Sequence, residues 1–98
     1  MFYAVIFEDE ASRAGERPRL MPKHLAFLER QADAIRAAGP LKDTSDGAAA
    51  GGLWLVEAEG PEAVRALVEA DPFWPSGLRK SVRILEWTRV FAEGARRI

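Results

Sequence analysis

The chain has 98 residues, 48% of them apolar and 30% charged, with 14 Lys and Arg against 15 Asp and Glu and a formal net charge of -1. Such a length holds one compact core, and the composition is that of a folding globule, so residues 1–98 are read as a single domain. Near charge balance gives no long-range pull toward the nucleic-acid backbone, and the absence of cysteine excludes disulfides, thiolate metal sites and a cysteine nucleophile. No run of about 20 apolar residues could span a bilayer, and Met1 leads straight into an apolar segment without a basic leader, so a cytoplasmic location is expected.

Phe2-Tyr3-Ala4-Val5-Ile6-Phe7 is continuously apolar, too short for a helix and closed by Glu8-Asp9-Glu10, which reads as a strand buried on both faces with a solvated exit. Ala11 to Arg19 carries Gly15 and Pro18 and reads as a loop. Pro22 suits the first turn of a helix running to about Ala38, with Leu25, Leu28, Ala32 and Ile35 on its inner stripe and Gly39-Pro40 as its stop. Pro40 to Ser45 reads as a weak edge strand. Asp43, Thr44, Ser45 and Asp46 then serve a turn, and the small-residue run Gly47-Ala48-Ala49-Ala50-Gly51-Gly52 follows as a loop. That run lacks the lysine and following helix of a phosphate-binding loop.

Leu53-Trp54-Leu55-Val56 is a second strong strand. Pro61 opens a second helix with Val64, Leu67 and Val68 inward, ending before Pro72. Phe73 to Leu78 is an aromatic-rich connection. Ser81 to Phe91 alternates as a last strand, with Val82, Ile84 and Val90 on one face and Leu85, Trp87 and Phe91 on the other. The order β, α, β, β, α, β implies an α+β ferredoxin-like fold, with a four-stranded antiparallel sheet and both helices on one face. The other face is bare and apolar, and in a chain without disulfides it is expected to press against a second copy, giving a face-to-face homodimer. Trp54 and Trp87 are assigned to that interface.

Two polar residues fall where the helix patterns place apolar ones. At about 100° per residue, Asp71 lies on the Val64, Leu67, Val68 stripe, and His24 lies within about 40° of the first helix's inner stripe. The start of the first helix and the end of the second share one end of a βαββαβ fold, so His24 and Asp71 become neighbours. An imidazole oriented by a buried carboxylate suits general-base chemistry near neutral pH. Two structural readings compete with this: Asp71 can cap a short helical piece begun by Pro72, and a lone core histidine is commonly a structural residue. Ser45, Phe73, Trp74 and Ser76 are candidate ligand-pocket residues. One histidine and no tight inward carboxylate cluster argue against a metal site, and no cofactor is implied.

The chain resembles the YCII-related (YciI-like) family of the dimeric α/β-barrel, ferredoxin-like superfamily. The resemblance rests on the first strand, Pro22-Lys23-His24-Leu25, Ala38-Gly39-Pro40-Leu41, Ala70-Asp71-Pro72-Phe73, Gly77-Leu78 and the closing Arg89-Val90-Phe91. It implies that His24 and Asp71 form an active-site dyad; some relatives are linked to dehydrochlorination of a chlorinated hydroxylated aromatic with a serine assisting, for which Ser45 and Ser76 are the candidates here, and most have no known substrate. Where relatives often carry an arginine three residues before the histidine, this chain has Met21, with Arg19 and Arg17 further back. The expected function is therefore elimination, isomerisation or hydrolysis of a small hydroxylated aromatic or conjugated acid by a His-Asp dyad. A non-catalytic metabolite-binding or regulatory module is the main rival. A cofactor-independent or haem-degrading monooxygenase is a weaker one, by fold analogy alone.

Overall fold

A computed structural model describes residues 1–98. Its elements are β1 (Phe2–Asp9), a 3-10 turn (Ala11–Arg13), α1 (Glu16–Arg30), β2 (Ile35–Lys42), β3 (Ala49–Glu57), α2 (Pro61–Ala70), β4 (Arg79–Trp87) and a small hairpin of β5 (Phe91–Ala92) and β6 (Ala95–Arg96). The main sheet is antiparallel throughout in the order β2-β3-β1-β4, the ferredoxin-like arrangement expected from the element order. No helix is long and apolar enough to cross a membrane.

Strand alternation divides β1 between two environments. Tyr3, Val5 and Phe7 are buried beneath the helices with Phe27, Ile35, Trp54, Val56, Val64 and Val68. Phe2, Ala4 and Ile6 point the other way, and Ala4 pairs with both Leu55 and Leu85 across the sheet. That second face carries Leu85 and Trp87, each about two-fifths exposed. Trp54 is not on it. Trp54 pairs with Val5, on the helix side of the sheet, where it meets Phe7 edge to face with ring centroids 5.1 Å apart. The assignment of Trp54 to a subunit interface is therefore corrected, because its position in the alternation makes it core.

Several element boundaries depart from the sequence reading, and β3 takes in Ala49 to Gly52 of the run read as a loop, because glycines there let it lie against β1. The first helix starts at Glu16 rather than Pro22 and ends at Arg30 rather than Ala38. Pro18 falls in its first turn, where an N–H would be unpaired anyway, and Pro22 is carried inside the helix. The buried stripe is Leu20, His24 and Phe27, while Leu25 is half exposed. Ile35 leaves the helix to pair with Val56, a half-buried pleat being the better place for a β-branched side chain. Gly39-Pro40 therefore lies within β2 rather than ending a helix, tolerated because β2 is an edge strand with a bulge beside Pro40. At the other end β4 stops at Trp87, and the chain turns back through Glu93 and Gly94, both with positive φ, to form the hairpin.

Candidate active site

Pro61 at the first turn and Val64 and Val68 on the sheet set the course of α2, which delivers Asp71 to its C-terminal end. There the backbone turns extended, as the following Pro72 requires, and the carboxylate folds back inward, only 2% exposed. Its Oδ1 accepts a hydrogen bond from the Phe73 N–H at 3.1 Å, so the residue does cap the turn after α2. The same oxygen lies 2.8 Å from His24 Nδ1, in a contact buried from solvent. The capping role and the histidine contact are thus both realised by one atom.

A carboxylate oxygen accepts, so Nδ1 is the donating nitrogen of His24, and in the neutral imidazole the lone pair then lies on Nε2. Nε2 makes no hydrogen bond within the protein. The imidazole is stacked on the Phe73 ring, centroids 4.0 Å apart and planes 17° from parallel, which holds its orientation against rotation. The turn beneath is itself braced. Arg13 donates through Nε and Nη2 to the Ser76 carbonyl, and the Ser76 hydroxyl donates to the Phe73 carbonyl at 2.7 Å while accepting from the Leu78 N–H. A preorganised imidazole of this kind can take up and return a proton at Nε2, with Asp71 stabilising the imidazolium.

The remaining residues singled out in the sequence lie at different distances from this pair. Phe73 is in direct contact with it. Trp74 is half-buried against the core with the Arg65 guanidinium over its ring, and Ser76 spends both hydrogen-bonding functions of its hydroxyl on the turn. Ser45 stands exposed in the β2–β3 turn, its N–H and hydroxyl both donating to Asp43 Oδ1. Those two bonds hold the Asp43 carboxyl below the usual carboxylate range. No group of three or more His, Cys, Asp or Glu side chains comes together.

Three charged residues to which the sequence assigned no place in the site stand beside the dyad. Arg79, at the start of β4, has a side chain 3% exposed and donates from Nη1 to Asp9 Oδ1 at 3.0 Å, while Arg17 donates to Asp9 Oδ2 at 2.5 Å. Both guanidiniums lie over the Phe73 ring, at 5.4 Å for Arg17 and 5.2 Å for Arg79. Burial pulls the Arg79 guanidinium below its ordinary range, opposed chiefly by its bond to Asp9. Glu8-Asp9-Glu10 is therefore not wholly a solvated strand exit: the ladder between β1 and β4 shifts register between Glu8 and Asp9, and Asp9 turns in to meet Arg79. Two adjoining cavities of about 580 Å³ and 290 Å³ open here, both lined by Asp9, Arg17, Ala49 and Gly51.

Comparison with known proteins places the sequence and its fold in one family. The curated Protein YciI of Escherichia coli O6:H1 is 33% identical over 98 residues, covering 93% of this chain and all of that one, and Protein YciI of Shigella flexneri matches equally. Among solved structures, the 5-chloro-2-hydroxyhydroquinone dehydrochlorinase TftG from Burkholderia phenoliruptrix, in complex with 2,5-dihydroxybenzoquinone, superposes with a TM-score of 0.76. It is 28% identical, and the match covers 90% of this chain and 94% of that one. The model of the YCII-related domain matches residues 1–88, and the chain belongs to that family.

Proposed function

We propose that the protein is a small-molecule enzyme in which His24 and Asp71 perform general acid/base chemistry on a small hydroxylated aromatic or conjugated acid. The observation that carries this reading is the buried 2.8 Å contact between Nδ1 and Oδ1, which leaves Nε2 as a free base on an imidazole fixed by Phe73. The similarity to a dehydrochlorinase holding a dihydroxyquinone supports the substrate class. In an elimination of this kind Nε2 removes a proton from a hydroxyl conjugated with the carbon that bears the leaving group, in the keto tautomer where that carbon has taken up a proton and is tetrahedral. The O–H bonding pair enters the conjugated system, and the leaving group departs with its own bonding pair as an anion. Asp71 remains ionised and stabilises the imidazolium until the proton is released. The apolar face bearing Ala4, Leu55, Leu85 and Trp87 supports pairing with a second copy, with residues 1–98 acting as one YCII-related domain.

The test is turnover of chlorinated and hydroxylated aromatics by the wild type and by His24→Ala, with products identified by mass. Loss of turnover in a folded His24→Ala protein is expected, and unchanged turnover overturns the proposal. A binding-only module is the second reading, favoured by the absence of His24 from the residues lining either cavity. In that case a ligand binds and is recovered unaltered.

A further inference from the structure

The smaller cavity is positively charged for reasons the dyad does not explain. Arg17 and Arg79 both bond one carboxylate, Asp9, and the Asp71 charge acts on Arg79 as well. Lys42, which lines the cavity of about 290 Å³ together with Asp9 and Arg17, forms no ion pair with a protein carboxylate, so the cavity wall itself holds two cations and one acid. Glu8 and Glu10 line only the larger cavity, where Glu8 accepts from the Ser81 hydroxyl and Glu10 from the Ser12 N–H. Arg79 also carries a buried Nε with no partner, and its guanidinium is held against the Phe7 ring at 4.1 Å. Arg79 lines neither cavity but holds Asp9 from behind, so the cations that face the smaller cavity are Arg17 and Lys42.

The small-residue run also acquires a purpose. A side chain at Gly51 would collide with the Phe7 carbonyl oxygen at 1.8 Å, and one at Gly52 would press on Arg79 Nη1 at 3.1 Å. The run lets β3 lie close against β1 while leaving space for the buried guanidinium, and Ala49 and Gly51 form a low wall to the cavity. Single-ring molecules fit such a volume. Arg17 connects this cavity to the Phe73 ring on which His24 is stacked.

We infer that the cavity between Arg17 and Lys42 is a carboxylate site that takes the anionic group of a planar, single-ring acid, with Asp9 positioning Arg17 for the bond. The inference rests on the proposed function, and names the acidic members of that substrate class as the preferred ligands. The site includes two cations and a bridging acid from α1, β2 and β1, with Arg79 of β4 behind the acid, so it depends on their mutual placement and not on one loop.

Benzoate and its neutral counterpart benzamide, titrated against the full chain and followed by amide chemical shifts, test it. Benzoate is expected to bind at least about tenfold more tightly than benzamide, weakening as salt rises from about 50 to 500 mM, since charge assistance supplies the difference. Lys42→Gln should weaken benzoate about threefold with Lys42→Arg restoring it, and Arg17→Gln about tenfold, both leaving benzamide unchanged. Lys42 is exposed on an edge strand, so its variant keeps the fold even where Arg17→Gln does not. Equal binding of the two ligands, no binding of benzoate, or an affinity indifferent to Lys42→Gln overturns the inference. His24→Ala should bind benzoate as the wild type does. An active His24→Ala that still binds benzoate therefore refutes the dyad alone, and an inactive one in a protein blind to benzoate refutes the carboxylate site alone.

Discussion

Replacing Asp71 separates what its carboxylate does for the fold from what it does for chemistry. Asp71→Ala strips the acceptor from two buried donors at once, the Phe73 N–H at 3.1 Å and His24 Nδ1 at 2.8 Å. A buried donor left without a partner costs roughly 1–3 kcal/mol, so the pair should cost about 2–6 kcal/mol. For a domain of this size each kcal/mol lowers Tm by roughly 4–8 °C, which predicts a fall of more than about 8 °C. Asp71→Asn keeps an oxygen at the position of Oδ1 and loses only the charge, so its stability should change by about 1 kcal/mol or less. Its turnover should nevertheless fall by about a hundredfold or more, the scale that a correctly poised proton acceptor supplies. Thermal melts followed by circular dichroism measure the first quantity and initial rates the second. Nitrogen shifts of the imidazole should report Nδ1 protonated in the wild type. A loss below about 1 kcal/mol in Asp71→Ala, or an unprotonated Nδ1, would refute the reasoning, since neither is compatible with a buried bond from that nitrogen to the carboxylate.

Three further outcomes are expected. Gly51→Ala, at φ +89° and with a Cβ 1.8 Å from the Phe7 carbonyl oxygen, should lose at least about 3 kcal/mol in chemical denaturation, because β1 and β3 must part locally; a loss under about 1 kcal/mol contradicts the close approach. The wild type should sediment at twice the chain mass and Leu85→Glu at the chain mass with its circular dichroism intact, and a monomeric wild type refutes pairing through the open face. Because Asp43 titrates below the usual carboxylate range in the folded chain, the support it gives the β2–β3 turn is full above about pH 4 and disappears as pH falls through its lowered value. Carboxyl carbon shifts should show that midpoint rising toward the ordinary value in Ser45→Ala, and an unmoved midpoint removes Ser45 as the cause.

The fold was legible because strands and helices advertise their inner faces. Tyr3, Val5 and Phe7 alternate correctly under the helices, and Val64 and Val68 repeat at helical spacing. The meeting of His24 with Asp71 followed from topology plus two polar residues on apolar stripes, even though the stripe drawn through Leu25 and Ile35 was displaced from the buried one through Leu20 and Phe27. What escaped were features that break the period. Alternation from Ile84 and Val82 points to Lys80 as the next inward residue, but the irregularity beside Asp9 turns Arg79 in instead and leaves Lys80 exposed. Nor does periodicity say that a helix can start six residues before Pro22 and carry it within, or that a chain will leave a helix at Arg30 with no glycine to stop it.

That irregularity splits the β1–β4 pairing into two stretches with separate duties. From Phe2 to Phe7 the partners are mostly apolar and any slip would turn the core inside out. Past Glu8 the ladder is released from that constraint, and the positions it controls hold charge. Asp9, Arg17 and Arg79 form one linked set there, so any one of them changed alone strands its partners. The domain carries this charged set at the end of a strand whose other end is fixed by the core, so a change of charge there leaves the apolar register untouched.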